Sequence, residues 1–346
     1  MIKTVLKKLL LGENLTEQEA MDAMNCIMEG GATDSQIGGF LTALRFKGET
    51  AEEVVGFAKA MRQKAAKVTH AQPYCIDTCG TGGDGTGTFN ISTAASIVAA
   101  AAGARIAKHG NRAMSSSSGS ADVLEALGVN INLSPSQAGS CIDQVGIGFM
   151  FAQLFHQSMK HAAGARKELG IRTVFNILGP LTNPAGAKGQ LLGVFDGGSA
   201  LLMAEALMRL GTERALVVHG SDGLDEITIT GKTKIAELND GTIKEYFLDT
   251  LDMGIPRASL EELAGGDAST NAGIIRSVFS GEQGPRRNIV LVNAAAALYV
   301  ARIAGSLQEG LKIAAEAIDT GKAALKLEEL CEYTQSAAAG IGEATA

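Results

Sequence analysis

The fold of this chain is decided by the stretch from Cys75 to Ala102, which reads CIDTCGTGGDGTGTFNISTAASIVAAAA. The stretch begins with a short β-type run, Cys75 to Thr78, and ends in an alanine-rich run, residues 94–102, that favours a helix. Between them, Gly80 to Thr88 holds five glycines in nine residues. Backbone without Cβ atoms approaches a ligand closely, and its free N–H groups bind anions together with a helix N-terminus. The stretch therefore predicts a strand, a phosphate-binding loop and a helix in succession.

Towards the C-terminus, short β-type runs continue to alternate with helical patterns. This alternation is typical of parallel strands joined by helices that cover both faces of a sheet. Turn signals then join three strands of an antiparallel segment, and a helical pattern follows from about Ser259 to Thr334. The other predicted parallel strands are 105–107, 148–151, 191–195 and 215–219, and the predicted antiparallel strands are 226–230, 233–238 and 243–247.

The first 70 residues have a different pattern, which is helical throughout. Thr16 with Glu19 and Thr50 with Glu53 form two capping-box pairs ahead of apolar residues at helical spacing. Such pairs mark helix starts, so this part of the chain predicts a small bundle of helices.

Together these patterns predict an α/β protein of two domains. We expect a small N-terminal all-helical domain, residues 1–70, followed by a larger α/β domain, residues 73–346, with a mostly parallel central sheet that binds the ligand. A later helical segment near residues 165–185 is expected to pack on the helical domain.

The composition of the 346-residue chain excludes several classes of protein. Thirty Lys and Arg against 37 Asp and Glu give a net charge of −7, which disfavours nucleic-acid binding through a wide basic surface. No apolar run approaches the roughly 18 residues that a membrane span needs. The five cysteines are scattered, unlike a disulfide framework, so we expect a cytoplasmic protein. Cys75 and Cys79 have the spacing of half a zinc site, but two small buried residues are the favoured interpretation.

The glycine loop matches neither the Walker pattern, which needs Lys-Ser/Thr after its last glycine, nor a dinucleotide fingerprint. It also contains an acidic residue, Asp84, in a segment predicted to bind an anion. An acidic side chain is compatible with a bound phosphate mainly if a divalent cation bridges the two, with Ser92 as a possible hydroxyl ligand. The alternative is a plain glycine turn followed by a Ser/Thr helix cap.

A second polar segment follows the next predicted strand. It reads KHGNRAMSSSSGS from Lys108 to Ser120 and leads into a predicted helix, residues 121–127. Lys and Arg attract phosphate, and hydroxyls at a helix start donate to anions. Two such segments on neighbouring strand ends predict a ligand with two separated phosphate groups. A serine run that serves only as a flexible linker is the alternative.

Two further places carry charged side chains suited to a ligand. Asp225 and Glu226 follow a predicted strand and have the carboxylate oxygens that Mg²⁺ prefers, although a solvated acidic turn has the same composition. Arg166 lies on a predicted basic helix. Its planar fork suits a substrate carboxylate, although most basic helix faces are simply solvated.

In combination these segments resemble the family of anthranilate phosphoribosyltransferases, enzymes of tryptophan biosynthesis. The resemblance extends over nearly the whole chain, and no single segment carries it. The segments are GTGGDGTGTFNIST at 80–93, KHGNRAMSSSSGSADVLEALG at 108–128, RKELGIRTVFNILGPLTNPA at 166–185 and VVHGSDGLDEIT at 217–228.

The resemblance implies an activity. The family transfers the phosphoribosyl group of 5-phosphoribosyl 1-pyrophosphate to the amine of anthranilate, and pyrophosphate leaves. It also implies a Mg²⁺ requirement, the family fold of a small helical domain with a larger α/β domain, and a homodimer paired through the helical part.

The resemblance further implies three sets of site residues. The implied donor-binding residues are Gly80, Gly83, Asp84, Thr88, Asn90, Ile91, Ser92, Thr93, Lys108, His109, Gly110, Asn111, Arg112, Ala113, Met114, Ser115, Ser116 and Ser120. The implied anthranilate-binding residues are Gly80, Asn111 and Arg166. The implied magnesium ligands are Ser92, Asp225 and Glu226.

We expect no strong general base, because an aromatic amine is neutral at pH 7 and nucleophilic enough to attack a cation-like anomeric carbon. His109 is only a weak candidate for a proton-transfer role. Two other functions stay open at this point. A pyrimidine nucleoside phosphorylase would share the fold but would not require the second polar segment or the paired carboxylates. A nucleic-acid-binding relative without transferase activity would need a wide basic surface.

Overall fold

A computed structural model of the chain describes residues 1–113 and 117–340. Its N-terminal part is a helical bundle of α1 (Ile2–Leu10), α2 (Glu17–Met28), α3 (Asp34–Lys47) and α4 (Ala51–Lys64). Both predicted capping boxes are confirmed at α2 and α4, where the threonine hydroxyl accepts from the third helical N–H and the glutamate carboxylate accepts in return. A third capping box, Thr33 with Gln36, begins α3 and was not predicted.

The larger part of the chain contains one seven-stranded sheet. Its strands are β1 (Ile76–Gly80), β2 (Ile106–Gly110), β3 (Ile147–Phe151), β4 (Gly189–Gly193), β5 (Arg214–Gly220), β6 (Lys232–Asn239) and β7 (Thr242–Asp249). Their order across the sheet is β3-β2-β1-β4-β5-β6-β7, with β1 to β5 parallel and β6 and β7 antiparallel. The predicted fold class, a helical part and an α/β part with a mostly parallel sheet, is confirmed.

One predicted strand, residues 226–230, is wrong. The Ile227 N–H donates to the side-chain oxygen of Asn293 at 3.0 Å, and the Asn293 amide donates back to the Ile227 carbonyl at 3.0 Å. The Thr228 N–H donates to the hydroxyl of Thr233 at 3.0 Å. These backbone groups bond to side chains, so no strand ladder forms there. The other predicted strands are present with shifted ends.

Helices cover both faces of the sheet. The helices that follow β1 along the chain, not all of which touch the sheet, are α5 (Ile91–Ala101), α6 (Ser120–Leu127), α7 (Pro135–Gln144), α8 (Ala152–Phe155), α9 (Lys160–Leu169), α10 (Phe175–Leu178), α11 (Ala200–Arg209), α12 (Ala268–Phe279), α13 (Pro285–Val300), α14 (Leu307–Asp319) and α15 (Lys322–Ala338). In β4, Leu191 belongs to the core under α5 and α13, whereas Leu192 belongs to the core shared with α11 and the helical bundle. None of the helices in the described ranges is long and apolar enough to cross a membrane.

Two later helices, α9 and α10, also pack on the helical bundle. Ala162 and Ala165 of α9 and Phe175 of α10 are buried in the same core as Phe40 and Phe57 of the bundle. The phenylalanine rings of α3 and α4 pack edge to face at 5.8 Å between centroids. Arg166 therefore lies on a helix that is held by the bundle.

The strand order places a topological switch at β1. The chain builds β2 and β3 on one side of β1 and then returns to build β4 on the other side. The loops that follow β1 and β4 therefore diverge at the carboxyl edge of the sheet. In open α/β sheets, ligands bind in the crevice at such a point.

Candidate active site

The glycine loop after β1 leaves backbone N–H groups free. Gly82, Gly83, Gly85 and Gly87 all have φ between 67° and 75°, the left-handed region that other residues rarely adopt. The N–H groups of the last three donate to no other atom in the described chain. Free amides in a left-handed turn are able to bind an anion, so this geometry is compatible with the phosphate-binding loop that the sequence predicts.

Asp225 lies against the ends of both central strands. The Gly82 N–H donates to its carboxylate oxygen Oδ2 at 2.8 Å. A Cβ atom on Gly80 would lie 2.2 Å from that same oxygen, and one on Gly193 would lie 1.6 Å from the Asp225 carbonyl oxygen. These distances leave no room for a side chain. Since Asp225 occupies this space, only glycine fits at the ends of β1 and β4.

The carboxylates at this edge lie in surroundings that disfavour their charged forms. Burial and the neighbouring Asp84 raise the pKa of Asp225 to about 6. Burial and Asp225 raise the pKa of Glu226 to about 8, although Lys108 and the Ser92 N–H oppose this shift. The negative charge of one carboxylate thus disfavours the ionisation of the next. A cation bound between them would lower both pKa values.

The donor set fits Mg²⁺. Carboxylate and hydroxyl oxygens from Asp225, Glu226 and Ser92 are hard ligands, and Mg²⁺ binds few protein groups and completes its shell with water and phosphate oxygens. Over residues 1–113 and 117–340, no group of three or more His, Cys, Asp or Glu side chains is arranged to hold a metal ion. A cation here would therefore need substrate oxygens.

The start of α5 contributes a second anion-binding feature. Asn90 lies at the N-cap position but makes no cap hydrogen bond with its side chain. Its amide instead donates to the Ser118 carbonyl at 3.1 Å, and its side-chain oxygen accepts from Asn271 at 2.9 Å. The Thr93 hydroxyl in the same turn is buried and has no hydrogen-bond partner in the described chain. An uncapped helix N-terminus with an unpaired hydroxyl favours a ligand that accepts hydrogen bonds.

The second polar segment, which begins within β2, differs from its prediction in one respect, because its cations already have hydrogen-bond partners. Lys108 is buried and donates to the Thr78 carbonyl at 2.5 Å. Arg112 donates to Asp122 at 2.8 Å and to Glu125 at 2.5 Å. Neither cation is free in this state of the protein. Three residues assigned to this loop, Met114, Ser115 and Ser116, lie outside the described residues.

The backbone of this second loop is nevertheless tightly built. The Ser120 hydroxyl donates to the Asn111 carbonyl at 3.3 Å, and a Cβ atom on Gly110 would lie 2.2 Å from that hydroxyl oxygen. The contact between Asn90 and Ser118 joins this loop to the start of α5. Backbone and side chains from the two predicted phosphate segments are therefore in direct contact.

His109 is buried and faces a second histidine. Its ring centroid lies 5.0 Å from that of His156, and the Nε2 atom of each ring has no partner in the described chain. Burial and the neighbouring ring lower the pKa of His109 to about 3, and burial lowers that of His156 to about 4. Both rings are neutral at pH 7 and are weak bases.

Arg166 has an unpaired guanidinium. It lies over the ring of Phe175 at 4.9 Å, and burial lowers its pKa. No carboxylate within the described parts of the chain forms an ion pair with it. A half-buried cation without an anion suits a substrate carboxylate. The described contacts do not connect Arg166 with Gly80 or Asn111.

Sequence analysis missed two supporting groups. Arg172 stacks on the Phe195 ring at 4.0 Å and donates to the Gly83 carbonyl, so it holds the first loop from outside the sheet. Asp77 is fully buried in β1 and accepts from the His109 N–H at 3.1 Å and from Asn183 at 2.8 Å. A glycine-rich loop needs other side chains to fix its backbone, so some supporting groups are expected from the sequence. Which residues provide that support is known only from the fold.

Comparison with protein families matches both parts of the chain. Residues 3–65 match the family described as glycosyl transferase family, helical bundle domain, and residues 72–324 match the glycosyl transferase family, a/b domain.

Comparison with individual proteins gives matches over nearly the full length. The anthranilate phosphoribosyltransferase of Acetivibrio thermocellus is 60% identical over 336 residues, 97% of each chain. That of Alkaliphilus metalliredigens is 58% identical over 335 residues, 97% of this chain and 99% of the relative.

Solved structures agree. The anthranilate phosphoribosyltransferase of Thermus thermophilus superposes with a TM-score of 0.91 at 45% identity, over 96% of this chain and 99% of that one. The Saccharomyces cerevisiae enzyme, solved in complex with PRPP and Mg, gives 0.88 at 31% identity, over 97% and 98%.

Proposed function

Because this chain belongs to the anthranilate phosphoribosyltransferase family, we propose that it transfers the phosphoribosyl group of 5-phosphoribosyl 1-pyrophosphate to the amine of anthranilate. Pyrophosphate leaves, and the reaction is a step of tryptophan biosynthesis. The chain is thus a glycosyltransferase-family enzyme, and its site lies at the carboxyl edge of the sheet.

One observation carries the proposal. The Gly82 N–H binds Asp225 at the point where β1 and β4 diverge, and the Ser92 N–H faces Glu226 beside it. Free amides, a helix start and two carboxylates therefore meet in one place. A ligand with both phosphate and metal-binding oxygens satisfies all of them.

The donor is proposed to bind across the two loops and the start of α5. The pyrophosphate arm would accept from the free amides of Gly83, Gly85 and Gly87, and the 5-phosphate would lie at the second loop. The full proposed donor set is Gly80, Gly83, Asp84, Thr88, Asn90 to Thr93, Lys108 to Ser116 and Ser120.

Ser92, Asp225 and Glu226 are the proposed magnesium ligands. Mg²⁺ held by these residues would neutralise charge that develops on the leaving pyrophosphate. The chain's own part is to orient that arm through the glycine amides and to hold the two carboxylates against the loop, with Asp225 fixed by the Gly82 N–H at 2.8 Å.

Anthranilate is proposed to bind near Gly80, Asn111 and Arg166. The unpaired Arg166 guanidinium would donate to the ortho carboxylate, which places the amine towards the ribose. No residue is assigned as a general base, and a pKa of about 3 makes His109 a poor one.

The enzyme is also proposed to act in the cytoplasm as a homodimer paired through the helical bundle. Leu10 and Leu11 at the end of α1 and Phe46 on α3 are 71%, 75% and 94% exposed, and large apolar side chains in this number favour a partner surface. Light scattering should give twice the chain mass, and Phe46→Ser should shift the mass towards that of one chain. A monomeric wild type contradicts this proposal.

The transferase activity is tested by the fluorescence of anthranilate. Mixing the protein with 5-phosphoribosyl 1-pyrophosphate should consume that fluorescence with Mg²⁺ and not without it. Pyrimidine nucleosides with phosphate serve as the control substrates of a phosphorylase. Turnover of those substrates, with stable anthranilate fluorescence, would overturn the proposal.

A further inference from the structure

The opposite edge of the sheet carries a concentration of positive charge. A cavity of about 280 Å³, called the basic hollow below, is lined by Lys59, Arg62, Gln63, Lys67, Arg209 and Leu210. It lies where α4 and α11 end, and the chain continues from α11 into the amino end of β5. The glycine loop follows the carboxyl end of β1, so the basic hollow is not part of the candidate active site.

The lining is cationic in a protein that is acidic overall. Four of its six residues are Lys or Arg and none is Asp or Glu, against a net charge of −7 for the chain. Lys59 pairs with Glu17 outside the lining. Lys67 and Arg209 are exposed, and neither forms an ion pair within the described residues. Unpaired cations around a concavity focus their field on its interior and raise the local anion concentration.

Arg62 is the fixed member of this group. Its Nε donates to the Leu181 carbonyl at 2.7 Å and one Nη donates to the Leu210 carbonyl at 3.3 Å. No carboxylate in the described chain pairs with it, and burial lowers its pKa to about 10. Two hydrogen bonds to carbonyls hold the guanidinium in place but do not neutralise it.

Helix ends explain only part of the cluster. Arg62 and Arg209 lie in the last turns of α4 and α11, where cations offset the negative helix end. Lys59 lies a turn earlier and Lys67 lies beyond the end of α4, so this role does not account for them. Two segments of the chain, residues 59–67 and 209–210, therefore bring four cations to one hollow.

We propose that the basic hollow binds a small phosphate-bearing anion, either inorganic phosphate or a phosphate ester no larger than a sugar phosphate. Pockets for small molecules begin at roughly 300 Å³, so the size of the hollow suits such an anion and not a larger ligand. The planar fork of an arginine matches two phosphate oxygens, and lysines add point charges.

The test is a calorimetric titration of inorganic phosphate into the full-length protein at low ionic strength. The exposed pair is changed in Lys67→Gln/Arg209→Gln. The matched control, Lys244→Gln/Lys312→Gln, removes the same charge from two exposed lysines that lie outside the hollow and form no ion pair in the described chain. The active-site loops also attract phosphate, so the comparison between the two variants isolates the hollow.

We expect the wild type and the control to bind phosphate at one set of sites with the same affinity. In the Lys67→Gln/Arg209→Gln variant the affinity of that set should be at least about tenfold weaker. This result supports the proposal whether or not phosphate also binds at the carboxyl edge, so it is separate from the proposed transferase activity. Equal isotherms for the wild type and both variants would overturn the proposal, and so would equal losses in the hollow variant and its control. If the double variant fails to fold, Lys67→Gln alone should weaken binding at the same set of sites about threefold.

Discussion

The loop after β1 and the loop after β2 are neighbours at one edge of the sheet, but they offer a ligand different groups. The first presents free backbone amides in left-handed glycines, next to two carboxylates whose pKa values are raised by burial. At the second, Lys108 within β2 donates to a carbonyl, and Arg112 in the loop pairs with two carboxylates. In this protein, therefore, the basic residues of the second segment already have partners within the fold, whereas the main-chain amides of the first loop stay free for the proposed anion.

The largest effect should come from closing the space around the first loop. Gly193→Ala would place its Cβ 1.6 Å from the Asp225 carbonyl oxygen, which must then move. We expect a loss of about 100-fold or more in kcat/KM for the phosphoribosyl donor, with circular dichroism that stays native.

Gly273→Ala is the matched control, since a Cβ there meets nothing within 4 Å and the residue lies inside α12. It should leave kcat/KM unchanged. Full activity of Gly193→Ala would mean that the close approach of Asp225 does not matter.

Next in size is the removal of a carboxylate charge. Asp225→Asn should weaken Mg²⁺ binding, measured by calorimetry with the donor present, by about tenfold or more. It should also raise the melting temperature of the metal-free protein at pH 8. The pKa of about 6 lies above the usual carboxylate value, so ionised Asp225 costs folding free energy at that pH. A lower melting temperature with unchanged Mg²⁺ affinity would contradict the assignment.

A third experiment compares how much a substitution beside each loop lowers kcat/KM for the donor. Arg172→Ala removes the group that holds the Gly83 carbonyl, so the first loop should lose order and kcat/KM for the donor should fall about tenfold. Arg112→Ala removes a charge that Asp122 and Glu125 already neutralise, so the fall should be less than about threefold. Steady-state kinetics at varied donor concentration measure both. The reverse order would break the comparison.

The last experiment concerns the stability of the fold rather than the activity, through His109 and His156. Their pKa values of about 3 and 4 are below the unfolded value near 6.5, so the unfolded chain binds protons first. Stability should be unaffected above pH 7 and should fall as the pH drops from about 6.5 towards 4. The slope should reach about 2.7 kcal/mol per pH unit for two protons. Urea unfolding at several pH values measures it, and His156→Gln should reduce the slope. A stability that is flat over this range would contradict the burial of the pair.

Local patterns in the sequence predicted several parts of the candidate site. The glycine loop, the helix start at Asn90 and the acidic pair at Asp225 and Glu226 each have the residue types that their chemistry requires, and no distant contact is needed to recognise them. The strands beside them were found for the same reason, because short apolar runs between helices define a buried parallel sheet.

Long-range contacts decided the rest. The sequence cannot reveal that Asn293 binds the backbone of Ile227 and so prevents the predicted strand at 226–230. Nor can it reveal that Lys108 is buried against Thr78 or that Arg172 reaches Gly83. These partners are separated by tens of residues, and only the packing of the sheet brings them together.

The central claim is that backbone amides and a bridging cation at the carboxyl edge bind the phosphoribosyl donor. Calorimetric titration of 5-phosphoribosyl 1-pyrophosphate without anthranilate tests it most directly. We predict saturable binding of one donor per chain in Mg²⁺ buffer, about tenfold or more weaker without Mg²⁺ and lost in Gly193→Ala. Binding of equal strength in the wild type and Gly193→Ala, or no binding to the folded wild type in Mg²⁺, would contradict the account.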